Sequence, residues 1–258
     1  MTNPILNSVQ SEWIKKKHTA SSWLILICAG FMPLITLAMR LTHMADTRKE
    51  NMLKPFWAMM HYRNWAAMSM FLLPLTLILY VSLITNMEYK NNTWKQLHTT
   101  PQRFSVIFLS KYIVIFAMTI QLFLLFHLGI YISAIIPSLL YRDVPFPTAA
   151  FPLRQYTQAA VYFFIDCTPV IALQYLLGLR FKNFLVAIGV GFALLVVSLL
   201  ALNWKYGYIV PYTYLPLGLR ENRNFVDQNV SRHWCAIGYF AAITLFSYIL
   251  YINKKEKG

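Results

Sequence analysis

The stretch from Phe104 to Ile136, FSVIFLSKYIVIFAMTIQLFLLFHLGIYISAII, has Lys111 as its one formally charged residue. A bilayer core is crossed by about 20 apolar residues in helical form, so this run is long enough to span a membrane with length to spare. Surplus of that kind protrudes from the bilayer or is absorbed by tilt. Pro137 follows directly and is predicted to close the helix.

Working outward, five more apolar runs appear. They cover about Ser22–Leu41, Asn64–Thr85, Gln155–Leu179, Phe184–Leu202 and Trp234–Ile252. Pro33 and Pro74 lie inside the first two, where neighbouring helices must accommodate a kink. Only Arg180, Phe181, Lys182 and Asn183 separate the fourth and fifth spans, which forces an antiparallel hairpin. The composition agrees: 58% of residues are hydrophobic and 12% charged, against about 25% charged in soluble domains. An all-α, six-span membrane protein follows, with one transmembrane domain over residues 22–252, a segment 1–21 before it and a basic tail 253–258.

The connecting segments differ in character. Thr42–Arg63 reads as a polar loop holding His43, Asp46, Arg48, Lys49, Glu50 and Lys54. Ser138–Arg154, with Pro145, Pro147 and Pro152, suits an extended connection. Asn203–His233 is aromatic-rich and broken by Pro211 and Pro216. It is predicted to dip into or lie on an interface, with Trp204 and Trp234 anchoring the adjoining helix ends.

The formal charge is +14. Its basic residues sit between apolar runs rather than on one polar face, which argues against nucleic acid and for topology control and contact with anionic lipid headgroups. Six spans put both termini on one side. Lys15–Lys17, Lys90, Lys95, Lys111, Lys182 and Lys254–Lys257 share it, so that side is predicted to be cytoplasmic. The arginines at 40, 48, 63, 142, 154, 220, 223 and 232 fall on the other side. They suit phospholipid headgroups, or an anionic or amphiphilic substrate. The first apolar run outlasts the usual h-region of about 7–15 residues, so a retained first span is expected rather than a cleaved signal. Cys28, Cys167 and Cys235 form no CxxC pair and read as small buried hydrophobes.

Before the first span, Ser8–His18 puts Val9, Trp13 and Ile14 on one helical face beside Lys15, Lys16 and Lys17. It reads as a short interfacial helix or as an ordinary positive flank. Between spans two and three stands MEYKNNTWKQLHTTP, Met87–Pro101. Thr93 and Gln96 have capping-box spacing, so a helix starts at Trp94, and Pro101 stops it after about two turns. Trp94 and Leu97 share a face. Such a helix either rests on headgroups or docks a cytoplasmic partner.

Glu88, Thr93, Leu97, Pro101 and Lys111 in this region resemble the pattern that ABC-2 type exporter permeases carry after their second span. The stretch SEWIKKKHTASSWLILICAGFMPLI resembles that family's opening, an amphipathic elbow helix leading into the first span. Within the family, permeases of this size resemble those of bacitracin and lantibiotic self-protection exporters. The resemblance implies a type V exporter-like permease whose coupling helix, with Glu88, Thr93, Trp94, Lys95, Leu97 and Pro101, seats in a separate cytoplasmic ATPase of the bacterial inner membrane. A second permease, identical or homologous, completes the transporter. The chain has no GxxxxGK[ST] phosphate loop, so ATP and Mg are expected on that ATPase and no cofactor here.

Four polar residues lie inside spans: Gln121, His127, Asp166 and Gln174. A carboxylate at depth is costly and needs a partner or a water-filled space, so Asp166 belongs to a translocation path, pairs with His127, or lies near the headgroups. The glutamines suit that path or interhelical hydrogen bonds. An intramembrane enzyme has no HExxH, GxSxG or paired carboxylate to support it. A secondary transporter finds no repeat between the halves.

Overall fold

The computed structural model describes residues 4–17, 19–90, 104–219 and 231–253. Six helices are long and apolar enough to cross a membrane, and no strand occurs among the described residues. Helix α1 (Pro4–Lys17) precedes the first spanning helix, α2 (Ser21–Thr42). Two shorter elements follow, α3 (Met44–Asn51) and α4 (Phe56–Ala67). A π-helical turn, Met68–Leu72, joins α4 to α5 (Leu73–Lys90). Beyond residues 91–103 come α6 (Phe104–Leu140), α7 (Leu153–Arg180) and α8 (Phe184–Ala201). Two 3-10 turns lead to α9 (Tyr214–Leu217), and α10 (Arg232–Asn253) completes the bundle.

Three sequence expectations change. Pro137 does not close the third span, which runs on to Leu140 as a helix of 37 residues. A proline near a helix C-terminus removes one hydrogen bond and leaves the rest of the last turn intact, and the Tyr141 amide still donates to the Pro137 carbonyl at 3.0 Å. The polar loop Thr42–Arg63 is mostly helical, and the second spanning segment starts at Phe56 rather than Asn64. Pro74 is accommodated by the π-helical turn just before it. The Leu73 amide donates to the Met68 carbonyl, one residue beyond helical spacing, which opens the turn facing the proline ring.

Packing is side by side and largely parallel within pairs. α2 lies along α6, with Pro33 against Gly129 and the Arg40 guanidinium reaching the Ala134 carbonyl at 3.4 Å. The α4–α5 unit lies along α7, from Trp57 at Tyr156 to Thr85 at Gly178. A Cβ on Gly178 would stand 2.7 Å from the Thr85 Cβ, so glycine permits this approach. Asn183 caps α8 by accepting from the Leu185 amide at 3.0 Å, and Phe181–Asn183 turn the chain tightly between α7 and α8. α10 runs against α7 and, through Phe240 and Tyr251, against Phe116 and Phe108 of α6.

The aromatic core is concentrated where α4, α6 and α7 meet. Trp65 stacks on Phe163 at 3.8 Å, with Phe123 and Phe126 against its edges. The exposed faces of α2, α8 and α10 carry large apolar side chains such as Phe31, Phe192 and Phe246, as lipid-facing surfaces do.

Candidate coupling and translocation site

Of the residues read as the coupling element, Glu88 lies in the last turn of α5. Thr93, Trp94, Lys95, Leu97 and Pro101 lie outside the described residues. α5 stops at Lys90 and α6 starts at Phe104, so both helices point their adjoining ends to the same end of the bundle.

At that end α1 is fastened along the first half of α6. Lys111 Nζ donates to Glu12 Oε2 at 2.8 Å, and these side chains are 2% and 4% exposed. Lys15 holds the other carboxylate oxygen. One turn before, the Ser8 and Ser110 hydroxyls meet at 2.9 Å. One turn after, Lys16 donates to Gln121 at 3.3 Å and lies over the Trp13 ring. Burial pushes the Glu12 carboxyl up, and the two lysines outweigh it and hold the group below the ordinary glutamate range. The α1 reading of the sequence missed Glu12. Its signal was a lone carboxylate among lysines on a helix facing an apolar run with a lone lysine.

The four residues read as a translocation path are not brought together. Gln121 is held by Lys16. Gln174 donates to Ser82 Oγ at 2.6 Å and to the Ala187 carbonyl at 2.9 Å, tying α7 to α5 and α8. Asp166, fully buried, is not paired with His127. Its oxygens accept from Arg232 Nε at 3.0 Å and His233 Nδ1 at 2.8 Å, and Tyr162 stacks on the His233 ring. A carboxylate half-way along α7 thus pins the first turn of α10, and the charge at depth is met by its partners.

Of the four, His127 borders a cavity. α6 and α7 enclose a groove of about 720 Å³ lined almost wholly by apolar side chains. His127 Nδ1 donates to the Phe123 carbonyl at 2.8 Å, and its Nε2 has no hydrogen-bond partner among the described residues. The His61 ring stands 6.4 Å away, and its Nε2 is likewise unmatched.

The arginines at the opposite end of the bundle are also partly committed. Arg40, 2% exposed, donates to Glu50 at 3.2 Å and Asn51 at 2.6 Å, and Arg63 binds the same Glu50 at 2.7 Å. This network ties α2, α3 and α4 together, so Arg40, Arg63 and Arg232 serve the fold.

A family model described as ABC-2 family transporter protein matches residues 8–200, three quarters of the chain. The chain belongs to the ABC-2 transporter family. It is a multi-pass membrane protein and a permease component of an ABC transporter, a kind of subunit that works with an ATPase. The match begins inside α1 and ends in the last turn of α8, so most of α1 and five spanning helices fall within the ABC-2 region while α9 and α10 lie beyond it. Comparison with curated proteins finds no match.

Proposed function

We propose that this ABC-2 permease is the membrane half of an ATP-driven exporter, moving an amphiphilic, peptide or lipid-like cargo by alternating access. Two permease subunits, identical or related, shift between inward and outward states as a separate ATPase binds ATP and Mg beneath them. The end of the bundle carrying Lys15, Lys16, Lys111 and Lys182 faces the cytoplasm of a bacterium, with both termini inside.

The observation that carries this reading is the clamp between α1 and α6. The segment 91–103 is the coupling element, and it runs directly into the first turn of α6. Seven residues further on, Lys111 is bound to Glu12 in a buried pair. A push on this segment is therefore delivered to α6 and, through Glu12 and Ser8, to α1 and the start of α2. Two helices that lie parallel along α2 and α6 then move as one body. Interactions of this rigidity suit a rigid-body step better than local bending.

The chain itself carries no phosphate loop, so it moves cargo without hydrolysing ATP. The test uses Trp94→Ala and Leu97→Asp in the full chain. Both are expected to lose ATPase co-purification or ATP-dependent transport while the permease remains folded and membrane-inserted. Unchanged co-purification and transport in both variants would overturn the assignment.

A further inference from the structure

Helices α2 and α10 are each 22 residues long, about 33 Å at helical rise, against a hydrocarbon core of about 30 Å. Neither has length to spare, so the middle of each belongs near the middle of the bilayer. Both touch α6, at different heights. Pro33, near the middle of α2, packs on Gly129. Thr244, near the middle of α10, meets the Tyr112 hydroxyl at 3.3 Å. α8 agrees with α10: Gly191 at its middle faces Gln174, and the neighbouring Tyr175 ring lies 4.5 Å from that of Tyr112. Gly129 and Tyr112 are 17 positions apart, so these middles are separated by roughly 20–25 Å along α6.

An upright bundle cannot satisfy both. With α2 centred, α10 would carry its exposed Leu245, Phe246 and Ile249 out of the bilayer into water. With α8 and α10 centred, α1 would lie at mid-bilayer, because Ser110 and Lys111, which hold it, directly precede Tyr112. Its outer side exposes Asn7, Gln10 and Ser11 among Leu6 and Ile14, with Lys15 partly exposed, a mixed face that suits water and headgroups and not hydrocarbon. The aromatic anchors repeat the conflict. Trp23 is exposed in the first turn of α2 and Trp234 in the first turn of α10, where they mark opposite membrane surfaces. Counted back from Pro33 and Thr244, the two tryptophans stand within about 10 Å of each other in height along α6, not the ~30 Å that separates two surfaces.

The geometry points to an oblique lipid-contact surface: hydrocarbon covers α8 and α10 at the same height along α6 at which water and headgroups meet α1. From α2 to α10 the bundle is at most three helix-packing steps wide, about 27 Å. A rise of roughly 20–25 Å over that width is a tilt of about 40°, at the steep end for membrane helices. The tilt uses the surplus length of α6. Its 37 residues, about 55 Å, then project about 42 Å along the bilayer normal, the hydrocarbon core and headgroups together. α2 and α10 project about 25 Å, so the bilayer thins beside them. α1 accordingly stands along α6 on the watery side of the membrane surface and does not lie in its plane. This surface requires only that the helices sit in a bilayer and does not depend on the exporter reading.

The test uses the full chain with Cys28→Ser and Cys235→Ser, which leaves the buried Cys167, and adds Gln10→Cys, Phe31→Cys, Phe192→Cys or Phe246→Cys one at a time, all at exposed positions. Each added cysteine carries a nitroxide, and collision rates with oxygen and with a water-soluble nickel chelate give its depth in phosphatidylcholine nanodiscs. The labels on α2, α8 and α10 are expected within about 5 Å of one another in depth, near the bilayer centre. The Gln10 label shares its height along α6 with Phe246 and is expected to be open to the nickel chelate. Infrared dichroism of the unsubstituted chain in oriented bilayers is expected to give a mean helix tilt near 40°. A depth difference of about 20 Å between the Phe31 and Phe246 labels, a Gln10 label as deep as that at Phe246, or a mean tilt near the common value of about 20° would overturn the oblique surface.

Discussion

Removing one partner of the Glu12–Lys111 pair is expected to loosen α1 from α6 and to destabilise the protein by a measurable amount. Both side chains are almost fully buried, and breaking such a pair from one side costs about 3–5 kcal/mol because a charge is left without compensation. The two halves are unequal. Glu12→Gln takes away the carboxylate that Lys111, 2% exposed, is bound to and offers an amide oxygen in its place, so about 3 kcal/mol is expected. Lys111→Met leaves Glu12 with Lys15, whose side chain is 39% exposed, so the loss is smaller, about 2 kcal/mol. The double variant removes both charges and is expected to regain about half of the summed loss, a coupling of about 2–3 kcal/mol in the cycle. The carboxyl is held below its ordinary value of 4.5, so its stabilisation is complete above that pH and is lost as the pH falls through the lowered value. The advantage of the native protein over Glu12→Gln therefore shrinks on acidification below pH 4.5. Denaturation midpoints in detergent micelles give the energies. Oxidative crosslinking of a Ser8→Cys/Ser110→Cys pair, whose native hydroxyls are 2.9 Å apart, reports the position of α1. Single variants within about 0.5 kcal/mol of the parent, with crosslinking unchanged, would refute the clamp.

Asp166→Leu removes the carboxylate that Arg232 and His233 bind at the start of α10 and is expected to cost about 3 kcal/mol, with Asp166→Leu/Arg232→Met recovering most of it because an apolar pair replaces a buried ionic one. Cys235, one turn into α10, is a built-in probe: its thiol-labelling rate should rise in Asp166→Leu, and an unchanged rate would count against the pin. Gly178→Ala drives a methyl into Thr85 and is expected to lower stability by about 1–3 kcal/mol in denaturation experiments. Adding Thr85→Ala should restore this only partly, since its Cβ remains 2.7 Å from the added methyl, and full restoration would show that the helices separate more easily than the packing implies.

How much of this was legible in the sequence depends on the range of the interaction concerned. Spanning helices are written in local hydropathy, and all six are found where the apolar runs lie, with Pro33 and Pro74 inside the first two. The start of the second span was misplaced because His61, Tyr62, Arg63 and Asn64 break its hydropathy. These residues are tolerated in a helix through distant partners: Arg63 binds Glu50, and Asn64 accepts from Thr36, which precedes it by 28 residues. No window along the chain contains that pairing.

The same limit governs the site. The cost of burying Asp166 was legible, and so was its need of a partner. The partner was not, since Arg232 lies 66 residues away at a point the hydropathy assigns to a connecting segment, while His127 is the more conspicuous polar residue at depth. Glu12 and Lys111 stand 99 residues apart, each visible only as a lone charge in its own surroundings. Buried charges of opposite sign in an apolar sequence therefore carry paired information: each implies another, and the chain that folds is the one that brings them together. In this permease those pairs fall at two joints between helices, where α1 meets α6 and where α10 meets α7. On the proposed rigid-body step these ionic joints hold the helices that move together, so the double variants, which remove the charges while keeping more of the stability than the single ones, are the variants expected to lose transport with the fold retained.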